Sequence, residues 1–78
     1  MNKLASIKTG LRSALAQRGS GQTASISRPD ANSASIAMGA WTLDMAFSEF
    51  NDDGDPATEA EHDTIYSALE TIVSEHNA

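Results

Sequence analysis

The densest group of chemically active side chains is a run of carboxylates around a Gly-Asp-Pro turn. Calcium is the cation that such a run suggests, and an EF-hand loop needs a glutamate at its twelfth position. With Gly54 at the sixth position, Pro56 falls at the eighth and Ala60 at the twelfth, so the EF-hand pattern fails. We therefore interpret the run as an acidic docking patch for a basic surface. The acidic patch consists of Glu49, Asp52, Asp53, Asp55, Glu59, Glu61 and Asp63.

The two histidines and the many serines do not form a pattern that indicates catalysis. His62 and His76 are fourteen residues apart on a predicted helix, which places them about 21 Å apart along its axis. One chain therefore cannot bring both to one metal ion. The sequence has no His-Glu-x-x-His, Gly-x-Ser-x-Gly or P-loop motif. We expect a protein that is not an enzyme and that has no cofactor and no metal site.

Charge is divided along the chain. All five bases lie within residues 1–28 and all eleven acids within residues 29–78, for a formal net charge of −6. Lys3, Lys8 and Arg12 make the first segment a basic helix. These three bases and Arg18 have no interleaved aromatic residues and stand beside a strongly acidic body, so they are a poor nucleic-acid site. We expect no direct nucleic-acid binding, and we expect the bases to face acids of the same fold or of another copy.

Length and composition limit the protein to one small domain. A chain of 78 residues buries only about 60% of the surface that its unfolded form exposes. Without cysteine it has no disulfides, so a partner subunit is the simplest additional source of stability. No apolar run approaches the roughly 20 residues of a membrane span, and no apolar signal-peptide core is present. We expect a cytoplasmic protein, or part of a virion assembled there, and consider membrane binding unlikely.

Helical periodicity predicts an all-α fold of three helices, at about 2–18, 33–50 and 56–76, with the last two forming an α-hairpin. The first is amphipathic, although Gly10 costs it about 1 kcal/mol relative to alanine. A Ser/Gly-rich connector over 19–31 follows, with a possible extended piece at 23–27 that has no obvious partner. Residues 32–78 then form an acidic helical hairpin in the single domain 1–78.

The second predicted helix has apolar residues on two opposite sides. Ile36, Ala40, Leu43, Phe47 and Phe50 follow one side, and Met38, Trp41 and Met45 follow the other. A helix in so small a unit needs one apolar stripe, whereas tryptophan and methionine are typical of binding surfaces. We therefore predict that Met38, Trp41 and Met45 contact a partner. The alternative is that this helix lies between the other two and that its Met/aromatic stripe is part of the ordinary core.

These observations favour a non-catalytic interaction subunit that docks through an apolar helix face into a homo-oligomer or a larger assembly, such as a virion-like particle. The alternative is a small acidic inhibitor, of the phage anti-defence type, whose acidic patch blocks a basic site on a nucleic-acid-handling protein. A membrane-surface peptide led by the first helix is a distant third interpretation.

Overall fold

The computed structural model describes residues 3–19, 21–51 and 58–78. Within these ranges the chain has two α-helices, a three-stranded sheet and a short 3-10 helix, so the fold is α+β. The helices are α1 (Leu4–Gly19) and α2 (Glu59–Asn77), and the 3-10 helix is Phe47–Phe50. The strands are β1 (Ser25–Asp30), β2 (Ser33–Met38) and β3 (Trp41–Ala46), which form an antiparallel sheet in the order β1-β2-β3.

The central strand β2 shows the period of two that defines a half-buried strand. Ala34, Ile36 and Met38 are buried, and the residues between them are partly exposed. β2 and β3 are joined through Gly39 and Ala40 as a two-residue hairpin, with Met38 paired to Trp41. Gly39 has φ +61°, which a turn of type I′ or II′ requires and which glycine adopts without strain.

The prediction of an all-α fold is therefore wrong, and so is the α-hairpin. The segment 33–50, predicted as one helix, is β2, a turn, β3 and the 3-10 helix. The two opposite apolar stripes arose because alternating strand residues were placed at 100° steps. In the sheet, Ile36 pairs with Leu43, Ala34 with Met45 and Met38 with Trp41. Since paired residues in an antiparallel sheet point to the same face, both stripes line one surface.

The predicted connector also contains a strand. β1 pairs with β2 through Ser25–Ala37, Ile26–Ile36 and Ser27–Ser35, and the register then shifts before Asp30 meets Ser33. The extended piece expected near residues 23–27 thus pairs with β2, which lies in the segment predicted as a helix.

Both helices lie on one face of the sheet and run in the same general direction. α1 begins where Lys3 N–H donates to the Phe50 carbonyl at 3.2 Å and ends with Gly19 against the Met38 side chain. At the end of α2, the Asn77 side chain bonds the backbone of Ala24, beside β1. α2 therefore lies beneath β1, and α1 runs from the 3-10 helix to the end of β2, where Arg18 lies over the Trp41 ring of β3. The core between the layers contains Leu11, Leu15, Ala34, Ile36, Met38, Met45, Phe47, Phe50, Ile65, Leu69, Ile72 and Val73.

Candidate interaction surface

Within the described residues, no strand pairs with the outer edge of β3. β3 keeps an uninterrupted register with β2 over all six residues, and it has no proline, lysine or arginine. Phe47 N–H donates to the Asn32 carbonyl at 2.8 Å, one step beyond the ladder. Because bonding direction alternates along a strand, the backbone groups of Leu43 point to β2 and those of Thr42 and Asp44 point outward.

One end of this edge is closed from within the chain. Ala46 N–H also points outward, and it donates to the Glu49 carboxylate at 2.6 Å. This bond places Glu49 at the end of β3 and leaves the outward groups of Thr42 and Asp44 as the accessible part of the edge.

The apolar side chains beside the β3 edge are only partly buried. Trp41 and Leu43 are packed against the core cluster while remaining partly exposed. The Arg18 guanidinium of α1 lies 5.6 Å from the centroid of the Trp41 ring, a cation–π distance. The edge thus offers backbone hydrogen-bonding groups next to an apolar strip, which is the combination that strand addition uses.

The β1 edge is different. Pro29 has no N–H to offer, and the register shift between Ser27 and Asp30 interrupts the strand. Arg28 is also tied to α2, because its guanidinium donates to the Asp63 carboxylate at 3.3 Å and lies 5.5 Å from the Phe47 ring and 5.4 Å from the Tyr66 ring. Proline, bulges and edge charges are the devices by which natural sheets prevent edge pairing.

The predicted partner residues occupy different environments in the structure. Met38 is 2% exposed and Met45 is 7% exposed, and both belong to the core. Trp41 lies on the edge strand and retains partial exposure. The structure therefore brings the three residues to one face of the sheet, with only the indole at the rim.

The described members of the acidic patch are spread over two elements. Glu49 bonds Ala46, and Asp63 pairs with Arg28. Glu61 forms a capping box at the start of α2, where Thr58 N–H donates to its carboxylate at 2.8 Å. These hydrogen bonds lower the pKa of Glu61 from its ordinary value of 4.5. Glu59 is exposed in the first turn of α2, and Asp52, Asp53 and Asp55 lie outside the described residues.

An ion pair between described residues joins the predicted basic helix to α2. Arg12 lies 3.6 Å from Glu75 of α2, with both side chains about half exposed. Lys3 is exposed and Lys8 is partly exposed on the same helix. The base with the most contacts is Arg28, which sequence reasoning did not select. Its position between two aromatic rings follows from strand β1, which lies in the segment predicted to be a connector.

A cleft of about 440 Å³ lies between the β1–β2 turn and the start of α2. Arg28, Asn32, Glu59, His62 and Asp63 contribute to its lining. His62 is 9% exposed, and its ring centroid lies 4.8 Å from that of Phe47. Because the aromatic rings and Asp63 already engage Arg28, this cleft is explained by the packing of β1 on α2.

Neither the second histidine nor the acids form a metal centre within the described parts of the chain. His76 Nε2 lies 2.8 Å from the Gln22 carbonyl and is positioned to donate to it. Residues 3–19, 21–51 and 58–78 hold no group of three histidines or acids that could bind a metal ion. In the same ranges, neither helix combines the length and apolar character needed to cross a membrane.

Comparison with protein-family models, with curated proteins and with solved structures gave no significant match.

Proposed function

We propose that this protein is a small non-catalytic interaction subunit that joins an assembly by accepting a partner strand on the open edge of β3. The observation that carries the proposal is the contrast between the two edges of one sheet. β1 has a proline, a register shift and an anchored arginine, whereas β3 has none of these. Sequences that leave a strand edge open risk aggregation, so an edge left open beside a closed one supports a binding role.

The chemistry of the edge defines the partner. Outward N–H and C=O groups of Thr42 and Asp44 supply main-chain hydrogen bonds, which give strand addition its affinity. Trp41 and Leu43 supply apolar contact on the side of the helices. A partner strand therefore needs apolar residues on that side and must avoid a carboxylate opposite Asp44, because like charges in direct opposition destabilise a pair.

The setting of this assembly is also a proposal. The absence of cysteine means that the fold does not depend on the disulfides of an oxidising compartment, which supports assembly in the cytoplasm. A multi-subunit particle such as a virion is one assembly that a subunit of this size and edge geometry would suit.

Binding of a synthetic strand tests the proposal. The probe is a peptide with the sequence of residues 40–47, flanked by lysines for solubility, titrated into ¹⁵N-labelled protein. We expect the amide signals of Thr42 and Asp44 to shift most, with smaller changes along β1. Absence of binding at millimolar peptide, or shifts confined to β1, would overturn the proposal.

A matched pair of variants at one position separates strand addition from general contact. Thr42→Pro removes an outward N–H and leaves the bonds to β2 intact, a placement that edge strands tolerate. Thr42→Val keeps the N–H and the strand propensity. We expect Thr42→Pro to weaken peptide binding at least tenfold and Thr42→Val to leave it within about twofold, with thermal unfolding confirming that both variants fold.

A further inference from the structure

The last outward donor of β3 is already bonded within the chain. Outward backbone groups belong to Thr42, Asp44 and Ala46, at every second residue of the strand. Ala46 N–H donates to the Glu49 carboxylate at 2.6 Å, whereas no described residue accepts from the outward N–H groups of Thr42 and Asp44. The Glu49 oxygen therefore lies where a carbonyl of an added strand would have to accept.

The core holds the backbone of Glu49 in this place. Glu49 belongs to the 3-10 helix Phe47–Phe50, whose first and last side chains are fully buried. Lys3 N–H also donates to the Phe50 carbonyl at 3.2 Å. Because a buried ring lies on each side of Glu49 along the chain, the tertiary structure presents its carboxylate to Ala46, and the hydrogen bond is not needed to bring the two residues together.

A carbonyl of an added strand competes poorly for Ala46 N–H. A hydrogen bond to an ionised carboxylate is roughly twice as strong as one to a neutral acceptor, and Glu49 forms it without a second chain. Glu49 is also exposed, so a backbone that approaches Ala46 would have to displace a charged side chain. Charged side chains and short edges are among the means by which natural sheets limit edge pairing.

We infer that Glu49 blocks the last bonding position of β3, so that an added strand pairs with Thr42 and Asp44 but not with Ala46. This inference rests on the proposed strand addition and names a residue that regulates it. The two remaining positions lie about 7 Å apart, since a strand rises by about 3.4 Å per residue. Glu49 thus limits the length of the paired segment and keeps binding weaker than a fully open edge would allow.

A purely structural role for the same hydrogen bond predicts the opposite effect on binding. Glu49 is the third residue of the 3-10 helix, and its bond to Ala46 N–H caps the start of that helix. If capping were its whole role, removal of the carboxylate would loosen the end of β3 and would weaken strand binding or leave it unchanged. If Glu49 blocks the edge, removal frees Ala46 N–H and binding becomes tighter.

Two variants at this position separate the two roles, with the lysine-flanked peptide of residues 40–47 as the probe. Glu49→Ala removes the acceptor, and we expect it to bind the peptide about three- to tenfold more tightly, which is the gain from one more hydrogen bond. Glu49→Gln removes the charge but keeps an oxygen that accepts from Ala46 N–H. We expect its affinity to lie within about twofold of the wild type, and it controls for attraction between Glu49 and the lysines of the probe.

Hydrogen exchange of single amides gives a second readout. In the wild type, bound peptide should slow the exchange of the Thr42 and Asp44 amides and leave that of the Ala46 amide unchanged. In Glu49→Ala it should slow the Ala46 amide as well. Thermal unfolding shows whether each variant is folded at the temperature of the measurement, and the wild-type pattern tests the inference even if Glu49→Ala does not fold.

The results distinguish this inference from the function on which it rests. A peptide that binds the wild type and slows the Ala46 amide there would show that Glu49 does not block the edge. So would a folded Glu49→Ala that binds the peptide no more tightly than the wild type. Either result would overturn the inference and leave strand addition standing, whereas a peptide that binds neither the wild type nor the two variants would overturn strand addition as well.

Discussion

The two edges of the sheet differ in how they are held. β1 lies above α2 and is fastened at both ends: Asn77 bonds the backbone of Ala24 just before the strand, and Arg28 pairs with Asp63 near its end. Among the described residues, β3 is contacted by Glu49, which accepts from Ala46 N–H, and by Arg18 of α1, which lies over the Trp41 ring. One edge is held by side chains of the same chain, and the other is the edge at which we propose that a partner strand adds.

The difference suggests how a three-stranded sheet can be stable while one of its edges stays open to the strand addition that we propose. A hairpin alone is marginal in water, and a third strand with helix packing makes it stable. Closing both edges would leave no place for strand addition, and leaving both open would permit unlimited growth.

The largest effect on the closed edge is expected from Asn77→Ala. The Asn77 side chain accepts from Ala24 N–H at 2.8 Å and donates to Ala24 C=O at 2.9 Å, and Ala24 is 3% exposed. Leaving buried backbone groups unpaired costs about 2 kcal/mol. Urea unfolding should show this loss, whereas Ser74→Ala, at an exposed site on α2, should show almost none. A loss as small as that of Ser74→Ala would mean that β1 does not need this tie.

A smaller effect is expected from Arg28→Ala. The guanidinium lies over two aromatic rings, and such contacts contribute about 1 kcal/mol when partly desolvated. The ion pair with Asp63 adds less, since Asp63 is 78% exposed and exposed pairs contribute little. Thermal unfolding should therefore show a greater loss for Arg28→Ala than for Asp63→Asn. Equal losses would show that the ion pair, rather than the rings, holds β1 to α2.

The smallest effect concerns the start of α2. Because hydrogen bonds from Thr58 lower the pKa of Glu61 in the folded state, its ionised form contributes stability above the unfolded pKa. That contribution is lost as the pH falls below about 4.5 and through the lower folded pKa. The melting temperature of Glu61→Gln should fall less steeply on acidification than that of the wild type. Glu70→Gln, on an exposed turn of α2, is the control. An identical pH dependence of the melting temperature in both variants would show that the capping box does not cause the effect.

The two helices could be predicted from the sequence because their helical periodicity extends over many residues. α1 at Leu4–Gly19 and α2 at Glu59–Asn77 lie close to two of the three predicted helices. The second predicted helix was wrong because apolar residues spaced three and four apart also occur where two short strands, each alternating between apolar and polar residues, follow one another. The informative signal was Gly39-Ala40 between Ala34-x-Ile36-x-Met38 and Trp41-x-Leu43-x-Met45, which is the pattern of a two-residue hairpin.

The candidate surface could be predicted from the sequence only in part. Trp41 was selected from its residue type and lies at the rim of β3, whereas Met38 and Met45, selected with it, lie in the core. The open edge itself consists of backbone groups of Thr42 and Asp44. Residue types do not reveal which backbone groups stay unpaired, so this part of the surface could not be predicted from the sequence.

Sequence alone determined the two amphipathic helices and the separation of bases from acids, because these depend on residues a few positions apart. The tertiary structure decided that Ile36 faces Leu43, that α2 secures β1, and that no described strand pairs with the outer edge of β3. Strand pairing joins residues through main-chain bonds that are the same for almost every residue type, so its partners and its unfilled edge are set by how the layers pack.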